Sequence, residues 1–133
     1  MQDKATLLAS RRERNDLVVA RKEKEEIMAL DVTLEVEKDT AKITLVGELD
    51  GSTAQLFKEK IEEAAKHEVK KLVLLMQDLE FMASAGLRML IFSKQKMGAD
   101  VEVYVVGAQE MVMDTIEKTG FHHSVIVVDE YND

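Results

Sequence analysis

The chain has no cysteine. That excludes a disulfide, a thiolate nucleophile and a zinc–thiolate site. No apolar run approaches the ~20 residues that a bilayer-spanning helix needs, so no direct membrane insertion is expected. A secretory leader is not expected either. Leu7-Leu8-Ala9 is too short an apolar core, and Arg11 and Arg12 follow it. The cytoplasm is therefore the expected compartment. There is no Gly-rich dinucleotide fingerprint, no P-loop, no internal repeat and no low-complexity tract. Basic charge is also in short supply, with 18 Lys/Arg against 26 Asp/Glu and a net charge of −8. Residues 1–30 hold seven Lys/Arg and six Asp/Glu, which leaves 11 and 20 for the rest, a net of −9. Such an acidic body repels a phosphate backbone, so nucleic acid is not an expected partner. It suits a protein with a basic face.

What remains is a chain of 133 residues, 46% hydrophobic and 33% charged, enough for one soluble domain with a real core. Residues 1–28 are highly charged, lack Gly and Pro, and favour helix. Their apolar clumps, Leu7-Leu8, Leu17-Val18-Val19 and Ile27-Met28, make a poor heptad, because Arg14 and Arg21 fall where seam residues belong. The segment reads as a helical or partly disordered extension. It is either solvated or docked, on its own domain or on another chain as in a homodimer. Residues 29–133 read as the domain.

Within that domain Val32, Leu34 and Val36 alternate with polar residues, and Ala41, Ile43 and Leu45 do the same after the turn at Lys38-Asp39-Thr40. Two half-buried strands joined so closely make an antiparallel hairpin. A helix follows from Ala54 to about His67, with Asp50 and Ser52 as N-cap candidates and a capping box from Ser52 to Gln55. Val69 to Met76 contains a third strand, after which Gln77 to Ala83 read as a loop. Leu87, Leu90 and Ile91 carry helical spacing from Ser84 to about Met97, closed by Gly98. Val101 to Val106 is a fourth strand, 109–119 a short helix with Val112, Met113 and Ile116 inward, and Val125 to Val128 a last strand before a tail. The order β-β-α-β-α-β-α-β is an α/β pattern and predicts a mixed, largely parallel sheet.

The chemical opportunity lies at Ser84. A strand leads to a serine at the start of a helix, where free backbone N–H groups and the positive end of the helix dipole favour an anion. The plain structural alternative is a helix N-cap worth ~1 kcal/mol.

Four motifs occur in order: Gly47-Glu48-Leu49-Asp50, Thr53-Ala54, Phe81-Met82-Ala83-Ser84-Ala85-Gly86-Leu87 and Thr119-Gly120-Phe121. Together they resemble the STAS domain, and more narrowly the bacterial anti-sigma-factor antagonists. The resemblance covers about residues 30–130. It implies a STAS-type sheet with helices packed on one face. It also implies a regulator that is not an enzyme and needs no cofactor. Its partner would be an anti-sigma factor that is also a serine kinase, with a serine phosphatase reversing the modification. The family's phosphorylated serine falls on Ser84. The contact surface it implies comprises Asp50, Gly51, Ser52 and Thr53 together with Met82, Ala83, Ala85, Gly86 and Arg88. Two positions depart from the family pattern. Ala83 stands where an aspartate usually precedes the serine, and Leu75 where Asp or Asn is common late in the third strand. Both remove polar groups from the expected neighbourhood of Ser84. They favour the alternative of a non-phosphorylated STAS adaptor in a signalling or membrane-transport assembly.

Other residues offer less. His122-His123 lacks further ligands at metal-binding spacing, so no metal is expected. Ser84 has no histidine or acid close in sequence to serve as a base, which argues against hydrolysis. Arg88, in the first turn of its helix, opposes the dipole; it reads either as a solvated arginine or as a contact with a partner carboxylate. Met82 reads as a soft interface residue beside Ser84. The N-terminal extension has no counterpart in the resemblance, and one reading is that it covers the partner surface until displaced.

Overall fold

A computed structural model describes residues 29–132. The extension expected over residues 1–28 lies outside the described residues. The hairpin forms as the alternation predicts, from Leu30–Glu37 (β1) and Thr40–Leu49 (β2), paired antiparallel from Leu30 opposite Gly47 to Glu37 opposite Thr40. Ala54–Ala64 (α1) follows, shorter than expected because its last turns tighten: Lys66 N–H donates to Glu63 and His67 N–H to Ala64. Then come Lys71–Met82 (β3), Ser84–Met97 (α2), Glu102–Val106 (β4), Glu110–Lys118 (α3), a 3-10 turn over Phe121–Ser124, and Ile126–Val128 (β5).

The sheet runs in chain order, β1-β2-β3-β4-β5, antiparallel in its first pair and parallel in the rest. Each crossover steps to the neighbouring strand in the same direction, so the helices pack on one face. The core lies between them. Ile43, Leu45, Leu72, Leu74, Met76 and Val105 rise from the sheet to meet Phe57 and Ile61 of α1, Leu90 of α2 and Val112 and Ile116 of α3. At roughly 1.5–3 kcal/mol per fully buried large apolar side chain, this layer is the main source of stability.

The third strand departs from the sequence reading. Gln77 to Met82 are not a loop; β3 continues through them, held by β2. Val46 stands opposite Asp78, Gly47 opposite Leu79, Glu48 opposite Phe81 and Leu49 opposite Met82, with register shifts between Thr44 and Val46 and between Gly47 and Glu48. Those irregularities change the spacing of inward residues from two to three, so Leu79 and Met82 both point into the core. Simple alternation conceals a strand of that kind.

The tail also differs. Tyr131 returns to the helix-free face of the sheet, its ring 5.3 Å from that of Tyr104 in an edge-on contact and 5.6 Å from the Lys42 ammonium. Lys42 and Tyr104 flank Val73 across the ladder. Val73, between them, is completely buried on a face with no helix.

Candidate functional site

Parallel strands put the ends of β2 and β3 at the same edge of the domain. The turn Asp50–Thr53 leaves β2 there, and Ala83 leads from β3 into α2. The turn is organised by Asp50. Its carboxylate accepts from the Ser52 hydroxyl at 2.7 Å, the Ser52 N–H at 2.9 Å and the Thr53 N–H at 3.2 Å. Thr53 answers: its Oγ1 accepts from the Asp50 N–H at 2.9 Å and donates to the Glu48 carbonyl at 2.9 Å. This reciprocal pair, three residues apart, braces the turn ahead of α1; the N-cap is Thr53, neither Asp50 nor Ser52, and with no side-chain cap bond there the expected Ser52–Gln55 box does not form. The hydrogen bonds from Ser52, hydroxyl first, hold the Asp50 carboxyl below the ordinary aspartate range, against a smaller opposing effect of desolvation. Thr53 is buried and belongs to the scaffold of the turn, whereas Gly51 and Ser52 are exposed.

The same turn abuts α2. A Cβ on Gly51 would stand 4.0 Å from that of Ala85, and the Ala83 N–H donates to the Leu49 carbonyl at 2.9 Å. Ala83, in extended conformation, is the N-cap of α2 and has no side chain with which to cap. Its carbonyl accepts from Gly86 and Leu87. Ser84 is therefore the first residue of the helix and not its cap, a correction to the plain structural alternative. The side chain is exposed, and its hydroxyl makes no hydrogen bond among the described residues. The first amides of a helix have no intrahelical acceptor, so the hydroxyl sits beside free donors and the positive dipole end. Arg88, also exposed, lies four residues on and shares that side of α2.

Besides Thr53, two further expected contact residues are structural. Met82 is only 2% exposed, because the register shift turns it into the core; its neighbour Phe81, 39% exposed, is the apolar group at the surface. Gly86 is buried, and a Cβ there would lie 2.7 Å from Leu49 Cγ and 2.8 Å from Met82 Cγ. It is the residue that lets α2 approach the sheet. Ala83 and Ala85 are half-buried, flanking Ser84. Leu75 is remote. It pairs with Thr44 and Val106, seven residues before Met82, or roughly 20 Å at ~3.3 Å per strand residue. Of the two departures from the family pattern, only Ala83 touches the surroundings of Ser84.

The helix α3 closes the other side. The Thr115 hydroxyl lies 3.5 Å from the Met82 carbonyl, and one turn earlier Met111 is 58% exposed. Met111 and Thr115 lie outside the motifs, and Phe81, though within one, is not among the expected contact residues. The signal available in the sequence was the outward phase of Met111 next to inward Val112. The surface thus has apolar groups at Phe81 and Met111, a turn rimmed by Asp50, exposed acids at Glu48, Asp78 and Glu80, and the cation Arg88 on the Ser84 helix turn.

Elsewhere, His122 and His123 stack at 3.9 Å in the 3-10 turn. Among the described residues no three His, Cys, Asp or Glu side chains are grouped to hold a metal ion, and no helix is long and apolar enough to cross a membrane.

Residues 31–133 match the family model described as the STAS domain. Among solved structures, an anti-sigma factor antagonist from Mycobacterium paratuberculosis is similar with a TM-score of 0.70 and 22% identity, covering 76% of this chain and 86% of that one. The anti-sigma factor antagonist SpoIIAA in its unphosphorylated form is similar at 0.66 and 21%, covering 75% and 90%. The Bacillus cell fate determinant SpoIIAA in its phosphorylated form is similar at 0.61 and 21%, covering 75% and 93%.

Proposed function

The chain belongs to the STAS domain family, and from that membership we propose that it is an anti-sigma-factor antagonist switched by phosphorylation of Ser84. In this reading residues 29–133 form the domain and 1–28 are an appended extension. The partner is a serine-kinase anti-sigma factor, and a serine phosphatase resets the switch. The protein binds and is modified; it performs no catalysis of its own. Anti-sigma factor antagonists share its fold, and one of them is known in phosphorylated and unphosphorylated forms.

One observation carries the reading: an exposed hydroxyl at the first residue of α2, without a hydrogen bond among the described residues, beside the Asp50 turn. A kinase reaches such a group without unfolding anything. The phosphoryl group adds roughly −1.5 to −2 charges. Free N–H groups and Arg88 accept that charge locally, so the fold is kept. In a protein interface the same charge meets repulsion and desolvation, a penalty of several kcal/mol. The contact surface is Asp50, Gly51 and Ser52 with Ala83, Ser84, Ala85 and Arg88, extended by Phe81 and Met111. Thr53, Met82 and Gly86 act beneath it.

Ala83 favours a second reading, a STAS adaptor that is never phosphorylated, since no carboxylate stands beside Ser84 to help pose it for a kinase. Titration calorimetry against the kinase-type anti-sigma factor distinguishes them. Ser84→Ala should bind as the unmodified protein does, and Ser84→Asp should lose binding. Equal affinity of the two variants would sink the switch and leave the adaptor.

A further inference from the structure

The helix-free face of the sheet is strongly acidic at one end. Asp31, Val46 and Asp78 lie side by side across β1, β2 and β3, and Glu48 and Phe81 form the next row. All five are exposed, with Glu80 beside them, and neither row contains a Lys or Arg. Val46 is 40% and Phe81 39% exposed, so apolar groups are framed by carboxylates. This end borders the Ser84 surface through Phe81.

The chain enters the domain at that same place. Because β1 runs antiparallel to β2, its first residue lies at the end where β2 finishes. The Ala29 carbonyl accepts from the Glu48 N–H at 2.8 Å. Gly47, with φ of 112°, leaves room for it, since a Cβ there would run into that carbonyl. The segment that precedes Ala29 carries the complementary chemistry. From Ser10 to Lys24 it has six Lys/Arg and three Asp/Glu around the apolar Leu17-Val18-Val19. Eight residue-to-residue steps lead from Arg21 to Ala29, a reach of roughly 26 Å when extended, while each strand step is only about 5 Å. Glu25 and Glu26 carry the charge that the acidic rows repel, so the complementary stretch is the one before them, ending at Lys24.

We propose that residues 10–24 of this chain seat on the acidic rows at Asp31, Val46, Glu48, Asp78 and Phe81. Basic side chains pair with the carboxylates, and Leu17, Val18 and Val19 cover Val46 and Phe81. The local tether supplies a high effective concentration, so weak contacts suffice. The seating does not rest on the docking reading given above and is measured without a partner, so the two fail separately.

The chain has no cysteine, so an Ala20→Cys variant of the full chain takes one nitroxide label. Amide spectra of the isotope-labelled protein should show selective loss of peak intensity at 46–48 and 78–81, with the far turn at 38–40 unaffected. Adding Arg11→Glu, Arg12→Glu and Arg14→Glu in the same chain should restore the lost intensity. Uniform loss, no loss, or loss unchanged by the charge reversal would overturn the proposal. So would loss at 46–48 and 78–81 in isotope-labelled protein mixed with spin-labelled, unenriched protein, because the occupant would then be a second copy.

Discussion

Replacing Gly86 by alanine tests how α2 is held against the sheet. In an ordinary helix Gly→Ala stabilises by about 1 kcal/mol. Here the new Cβ would lie 2.7 Å and 2.9 Å from Leu49 Cγ and Cδ2 and 2.8 Å from Met82 Cγ. These are far inside the ~3.5–4 Å optimum for carbon pairs. Neither neighbour can swing away into solvent, since Leu49 is fully buried and Met82 nearly so. The first turn of α2 must lift instead. Overpacking of this kind costs about 1–3 kcal/mol, so after the propensity gain the net effect is a destabilisation of up to ~2 kcal/mol. For a domain of this size each kcal/mol lowers Tm by roughly 4–8 °C. Calorimetric unfolding of wild type and Gly86→Ala reads this directly. Amide spectra should show the disturbance centred on Ser84–Arg88 and Gly51–Thr53, the two segments that meet across Gly51 and Ala85. A raised Tm, as for a surface helix glycine, would refute the packing argument and with it the account of how Ser84 reaches the surface.

Thr53→Val keeps the shape of a buried side chain but removes the hydroxyl that joins Asp50 N–H to the Glu48 carbonyl. Leaving those groups unpaired should destabilise by about 1–3 kcal/mol, read by urea unfolding, while Thr53→Ser should retain most of the stability; equal losses would contradict the hydrogen-bond account. Ser84→Asp should leave Tm unchanged or slightly raised, since a carboxylate at a helix N-terminus contributes roughly 0.3–1 kcal/mol; a large fall would mean that the hydroxyl is structural. Asp50 has a folded-state pKa below its ordinary value, so its contribution to stability is present at neutral pH and is lost as pH falls through that lowered pKa. The Ser52 and Thr53 amide shifts should therefore titrate at lower pH than an ordinary aspartate, and a midpoint at or above the ordinary value would refute the hydrogen-bonded turn.

Alternation of Val32, Leu34 and Val36, and of Ala41, Ile43 and Leu45, is a local signal, and the hairpin follows it residue by residue. The helix phases of α1, α2 and α3 are legible for the same reason, since Phe57, Ile61, Leu90, Val112 and Ile116 recur at helical spacing and are all buried. Ser84 at the start of a helix was legible from the change of period around it. Its position inside the helix, with Ala83 as the cap, was not, because a serine at such a boundary reads equally well in either place. The extension of β3 was hidden by register shifts, which are set by the pairing partner and not by the strand itself. That one feature moves Met82 inward, brings Phe81 to the surface and separates Leu75 from Ser84. The Asp50–Thr53 pairing was obscured by Ser52 and Gln55, an equally plausible pair by type and spacing. The approach of Thr115 to the Met82 carbonyl joins residues 33 apart in the chain, and the return of Tyr131 to Tyr104 joins residues 27 apart. Contacts at such separations leave no periodic trace.

The central claim is that the exposed Ser84 hydroxyl is the acceptor of a kinase that this surface docks. Incubation of the full chain with a kinase-type anti-sigma factor and ATP, followed by intact-mass measurement and peptide mapping, tests it most directly. The account predicts a single gain of about 80 Da, one added HPO3, located at Ser84 and absent from Ser84→Ala. No gain, or a gain located at Ser52 or elsewhere, would contradict it.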